Sequence, residues 1–148
     1  MVWGSFGWNA VGNLAIIEET MTKEVYQAIL DKNLRSSSRK IGIGRTFIFQ
    51  QDNDPKHTSK IIHKWFVNNK ISLLPWPSQS PDLNPIENLW SYLERKMSGR
   101  RPNNKFDLEQ ILKAEWEKIP QDYCRKLVES MPKRIREVIK AKGGHTKY

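Results

Sequence analysis

The sequence predicts an α/β fold: a mixed sheet with flanking helices and a helical C-terminal tail. Three observations predict it. Runs of β-favouring residues alternate with amphipathic, helix-length stretches in the order β-β-α-β-α-β-α, with further helices after them. The first two β runs are close enough in sequence to form a hairpin, which makes the sheet mixed. Two steps, Asp54-Pro55 and Asn84-Pro85, each place a capping residue and a first-turn proline ahead of an apolar periodic run.

The elements follow in order. Met1 to Ile17 reads as the hairpin, with VWGSF and VGNLAII as strands and GWNA between them. Thr20 to Leu34 reads as a helix, because Val25, Ala28, Ile29 and Lys32 recur at helical spacing. RSSSRKIGIG is polar and rich in serine and glycine, and reads as a connection. TFIFQ, bounded by turn chemistry, reads as a buried strand. A helix is expected from Asp54 and Pro55 to about Asn68, turning Ile61, Ile62, Trp65 and Phe66 to the core. ISLLPW is a further strand closed by Pro75 and Pro77, and PSQSPDLNP is a loop. Helices are expected from Pro85 to about Met97, about Asp107 to Lys118, and about Gln121 to Lys142, the last broken near Pro132.

Composition narrows the function. The 148 residues suffice for one domain with a core, and 38% hydrophobic against 28% charged residues fits a globular chain rather than a disordered one. No apolar run is long enough to span a membrane, and the N-terminus lacks the pattern of a signal peptide. Cys124 is the sole cysteine, so an intrachain disulfide is excluded; with three scattered histidines, a structural zinc site is not expected. The net charge of +9 favours a polyanionic partner, nucleic acid ahead of a purely solubilising role.

Two acids stand out. Asp52 follows the strand TFIFQ, at the carboxyl end where ligands bind in α/β sheets. Glu87 lies in the first turn of the helix from Pro85. It is on the line of Ser91 and Glu94, beside the apolar stripe of Ile86, Leu89, Trp90, Leu93 and Met97. Each has a structural alternative: Asp52 as a turn aspartate, Glu87 as the reciprocal member of a capping box with Asn84. Together they suit hard divalent cations, which take carboxylate oxygens and serve phosphodiester chemistry in pairs roughly 4 Å apart.

QQDNDPKHTS (Gln50 to Ser59) and LLPWPSQSPDLNPIENLW (Leu73 to Trp90) resemble the signature blocks of the Tc/mariner superfamily of DDE transposases, and VWGSF and IIEETM fit its pattern more loosely. The 34 residues between Asp52 and Glu87 match the family's spacing between its last two acids. The resemblance implies a ribonuclease H-like fold over residues 1–101, with 102–148 as C-terminal helices on the same domain. It implies Mg²⁺- or Mn²⁺-dependent cleavage and strand transfer of DNA. Asp52 and Glu87 then map onto the second and third acids, as catalytic and metal-binding residues. The family's first strand and its aspartate lie upstream of VWGSF, so these 148 residues are expected to lack both and to be inactive alone. Glu18, Glu19 and Asp31 are not expected to replace that acid. Asp82 is read as fixing its loop, and Asp54 as a helix cap.

Basic residues complete the reading. Lys56, Lys60 and Lys64, spaced four apart, form a cationic line beside Asp52, or else an ordinary solvated face. Arg95, Lys96, Arg100 and Arg101 form a denser cluster suited to DNA phosphates, as do Lys133, Arg134, Arg136, Lys140 and Lys142. The C-terminal cluster also suits nuclear import, and a nuclear location is expected. His57 reads as a surface or packing residue, with a place near the scissile phosphate as the alternative. The tryptophans Trp65, Trp90 and Trp116 read as packing, and Trp76 as fixing its loop. The expected partners are DNA and, in a second reading, a full-length transposase or a second copy bound by a non-catalytic module.

Overall fold

A computed structural model describes residues 1–78, 80–142, 144 and 146. Gln79 of the expected loop, and Gly143, His145, Lys147 and Tyr148 of the expected tail, lie outside the described residues. The chain forms two compact units: Met1–Ser5 with Gly12–Ser80, and Phe6–Val11 with Pro81–Tyr148.

The hairpin consists of β1 (Val2–Phe6) and β2 (Val11–Ile16). Its ends are tied by reciprocal Met1 and Ile17 hydrogen bonds, and its turn by Gly7 N–H donating to the Ala10 carbonyl at 3.0 Å. That pairing makes the strands antiparallel. In the first unit, α1 (Lys23–Ile41) starts at Thr22, whose hydroxyl accepts the Val25 N–H, and ends at Gly42 in the left-handed conformation, φ 81°. The helix thus runs through the serine triplet expected to be a loop. The serines satisfy their hydroxyls on the helix itself: Ser36 and Ser38 bond back to the Asn33 and Arg35 carbonyls, both at 2.9 Å. Ser37 instead accepts the Asn13 N–H of β2 at 2.9 Å. Small side chains here let strand and helix approach closely. A Cβ on Gly12 would lie 2.5 Å from Ser5 Oγ and 2.6 Å from Ser37 Cβ. The buried face of α1 is also displaced from the expected one. It carries Tyr26, Leu30, Asn33, Leu34, Ser37, Ser38 and Ile41, with Val25 and Ile29 at its margin.

β3 is shorter than expected, only Ile48–Phe49, and pairs in parallel with β4 (Ser72–Leu73). It is not fully buried: Ile48 is 66% exposed, while Phe47 and Phe49 pack against the core. The strand senses are mixed as expected, but the two pairs form separate small sheets. Helix α2 (Lys60–Asn68) begins later than Pro55. Asp54 caps an isolated turn, its carbonyl accepting the N–H groups of His57 and Thr58, before Ser59 opens the helix. Ile62, Trp65 and Phe66 are buried, whereas Ile61 is 38% exposed. Trp3, Ile17, Met21, Tyr26, Leu30 and Leu34 complete this core with the α2 residues and Ile71.

The second unit holds a short 3₁₀ turn (Pro81–Leu83) and the helices α3 (Ile86–Met97), α4 (Lys105–Glu117) and α5 (Gln121–Lys140). Leu89 and Leu93 of α3 are buried, and Trp90 stacks on the fully buried Trp116 of α4 with ring centroids 5.1 Å apart. Asn104 caps α4 by accepting the Asp107 N–H at 2.9 Å. α5 passes through Pro132 unbroken, contrary to expectation. The proline lies on the exposed face, where water can take up the carbonyl it frees. Cys124 is buried, and burial raises its thiol pKa, consistent with a packing role. Among the described residues no helix is long and apolar enough to cross a membrane.

Candidate metal-binding acids and their supports

Asp52 sits three residues beyond β3 at the start of the turn capped by Asp54. Its side chain is 52% exposed. His57 Nδ1 lies 2.6 Å from Asp52 Oδ1, and the Asp54 N–H donates to the same oxygen at 3.2 Å. Among the described residues no hydrogen bond reaches Oδ2. The turn reading of Asp52 is therefore correct as far as it goes, and it leaves one oxygen open.

Two further residues hold His57. Its ring lies against Tyr26, with centroids 4.1 Å apart. The Tyr26 hydroxyl donates to Gln51 Oε1 at 2.8 Å, and Gln51 Nε2 donates to the His57 carbonyl at 2.9 Å. Burial raises the Tyr26 phenol well above its ordinary range, with Asp52 and Asp54 pushing the same way, so the phenol stays protonated and acts as donor. The Lys56 N–H holds the Asp54 carboxyl below its usual value, helped by the Lys56 side chain and His57.

Glu87 is exposed in the first turn of α3, on the line with the exposed Ser91 and Glu94. Its N–H bonds to the Asn84 carbonyl at 3.3 Å, not to a capping side chain, and the helix start carries no side-chain cap bond. The support lies elsewhere. Arg134 of α5, read as one of a basic surface cluster, is 3% exposed. It donates to the Asp82 carbonyl at 3.1 Å, to Asn88 Oδ1 at 2.7 Å and to Ser130 Oγ at 2.8 Å. The Tyr123 hydroxyl donates to the Asn88 carbonyl at 3.3 Å. The Asp82 carboxylate accepts both the N–H and the hydroxyl of Thr146, fixing its loop as expected. A guanidinium is the side chain suited to this task, having five donors in a planar fork.

The basic residues separate. Lys60 and Lys64 are exposed on α2, but Lys56 lies in the preceding turn with its Nζ 3.4 Å from Asp54 Oδ2, so the three do not share one helix. Arg95, Lys96 and Arg101 are exposed at and beyond the end of α3, with Lys96 over the Tyr92 ring. Arg100 pairs with the buried Glu115 at 3.0 Å, and Lys118 reaches the same oxygen at 2.9 Å. Those contacts, the Lys118 hydrogen bond first, lower the Glu115 pKa.

No group of three or more His, Cys, Asp or Glu placed to hold a metal ion occurs among the described residues. Asp52 nevertheless fits a divalent ion: it is a hard oxygen donor, open to solvent, with its protein partners gathered on the other oxygen.

Known proteins resolve the family. The profile described as DDE superfamily endonuclease matches residues 9–109. The chain belongs to this family. It is 48% identical over its full length to the Tcb1 transposase of a Caenorhabditis briggsae transposable element, and 45% identical to the Tc1 transposase of Caenorhabditis elegans. In each case it covers 54% of the relative, so it spans about half the length of these curated family members. The structure of the Mos1 transposase catalytic domain with raltegravir and Mg superposes with a TM-score of 0.87 at 20% identity, covering 99% of this chain and 75% of that one. The Mos1 mariner paired-end complex with Mn matches equally well, with a TM-score of 0.87 at 21% identity, over 99% of this chain and 44% of that one. At such identities the likeness establishes the fold, which is the ribonuclease H-like one expected for the family.

Proposed function

We propose that this chain is part of the catalytic domain of a DNA transposase acting in the nucleus, with Asp52 and Glu87 as two of its metal-binding acids. The reading is carried by the open Asp52 carboxylate just beyond β3, in a chain 48% identical over its length to a transposase of which it covers 54%. Mg²⁺ or Mn²⁺ would supply Lewis-acid activation of a phosphodiester and of the attacking water or 3′-hydroxyl. The Mos1 structures with Mg and with Mn, and the Mos1 paired-end complex with a left transposon end, support that ion class and DNA as partner. Lys60, Lys64, Arg95, Lys96 and Arg101 are exposed and suit DNA phosphates, with Lys56 and Arg100 as weaker contributors because each already faces an acid.

Among the described residues no group of three or more His, Cys, Asp or Glu is placed to hold a metal ion, and a divalent ion held by few carboxylates is bound weakly. We infer weak metal binding and no turnover of DNA by these 148 residues alone. The test is a salt titration of DNA binding beside a nicking assay on transposon-end DNA with Mn²⁺. Binding that falls steeply with salt, without nicking, is the expected result. Nicking abolished by Asp52→Asn and by Glu87→Gln would keep the acids and overturn the incompetence. Absence of both metal and DNA binding would overturn the whole reading.

A further inference from the structure

We propose that His57 is a positioning residue for Asp52, holding one carboxylate oxygen so that the other faces an incoming divalent ion. This inference rests on the reading of Asp52 as a metal ligand and names what orients it.

An ionised carboxylate only accepts, so the 2.6 Å contact requires a proton on His57 Nδ1. Such short, charge-assisted bonds are directional and strong. The contact engages Oδ1, the oxygen that also receives the Asp54 N–H, and leaves Oδ2 with no bond among the described residues. Rotation of the carboxylate would break both bonds at once. The histidine is itself held on two sides. Tyr26 presses on its ring, and the Tyr26–Gln51 pair fixes its carbonyl. Tyr26 belongs to the buried face of α1, only 1% exposed, so the orientation of an exposed aspartate is referred back to the core. Partners of this kind, one bond removed from a metal, set affinity by fixing the ligand before the ion arrives.

The Nδ1–H requirement yields a signature in the unmutated protein. With Nδ1 protonated, a neutral His57 carries its lone pair on Nε2, and long-range ¹⁵N–¹H NMR distinguishes the two tautomers. The structure assigns the Nδ1–H form, and a predominant Nε2–H form would overturn the proposal before any variant is made.

Three substitutions then separate positioning from bulk. The Asn amide in His57→Asn places an N–H donor where Nδ1 stands, the longer amide in His57→Gln places it where Nε2 stands, and His57→Leu supplies none. The probe is Mn²⁺ alone, titrated against the 148-residue protein and read by the EPR signal of the free ion, with Asp52→Asn as reference. His57→Leu is expected to weaken Mn²⁺ binding roughly tenfold while still melting cooperatively, and His57→Asn to recover most of that loss where His57→Gln does not. Unchanged Mn²⁺ affinity in His57→Leu, with binding lost in Asp52→Asn, would overturn the role of His57 alone. Unchanged affinity in Asp52→Asn would remove the ligand assignment and this inference with it.

Discussion

The turn that carries Asp52 is braced mainly by its own neighbours, whereas the helix start that carries Glu87 is braced from far along the chain. Around Asp52 the bonds come from Asp54, Lys56, His57 and Gln51, with Tyr26 the distant anchor. Around Glu87 the fixed points are Asp82 and Asn88, both held by Arg134 across 52 and 46 residues of sequence. Local bracing uses half-buried groups already close in the unfolded chain, so removing one disturbs orientation more than stability. Distant bracing by a buried cation ties the loop before Glu87 to the docking of α5, so orientation and folding fail together.

Arg134→Met is therefore the harshest test. It leaves the Asp82 carbonyl and the Asn88 amide oxygen without their charged donor in a buried place. The expected loss is about 3 kcal/mol, read from urea unfolding followed by circular dichroism. A loss no greater than that of His57→Leu would erase the contrast between the two supports.

Gly12→Ala probes the frame beneath the Asp52 turn. The added methyl meets Ser5 Oγ and Ser37 at distances that side chains do not tolerate, so β2 must move off α1. Destabilisation of roughly 1–3 kcal/mol is expected in the same unfolding assay. Adding Ser37→Ala should restore little, because the Ser37 Cβ, 2.6 Å from the new methyl, remains. Full rescue by that second change would show that the hydroxyl alone sets the close approach.

Tyr26→Phe is gentler. It removes one donor, the bond to Gln51, and keeps the ring against His57. A cost of about 1 kcal/mol is expected, together with a small loss of Mn²⁺ affinity in the EPR titration. A larger metal effect than that of His57→Leu would make Gln51, rather than the histidine, the main brace of Asp52.

These contrasts are only partly legible in the sequence. The hairpin, α3 and α4 can be read within two or three residues, since alternation, the Asn84-Pro85 step and the apolar stripe are local signals. Asp54-Pro55 is an equally good local signal, yet it opens one turn instead of α2, because the bonds from His57 and Thr58 close that turn before Ser59. The serines of α1 favour loops when considered alone. Packing of β2 against Ser37 overrides that preference, and no periodicity reveals it. At the site, the five-residue step from Asp52 to His57 is visible in sequence, but its partner Tyr26 is identifiable only once the buried face of α1 is known. Arg134 carries no distinguishing mark among its basic neighbours; only burial separates a structural guanidinium from surface ones.

The smallest effect comes from Glu115, which sharpens the comparison by showing what a distant support without full burial is worth. Its carboxyl is buried, yet Arg100 and Lys118 reach it with side chains 51% and 65% exposed, so solvent and salt screen the attraction. The contacts lower its pKa from the ordinary 4.5. A lowered carboxyl contributes stability that is complete above the unfolded-state value and lost as the pH falls through the folded-state value. Melting temperature followed downwards from about pH 6 should therefore fall below about pH 4.5, and Glu115→Gln should lower the neutral-pH value slightly and make that fall shallower, the two curves meeting at acid pH. High salt should flatten the parent curve towards that of the variant. If the two curves have the same slope at low salt, the Arg100 and Lys118 contacts contribute nothing to holding α4 in the folded protein.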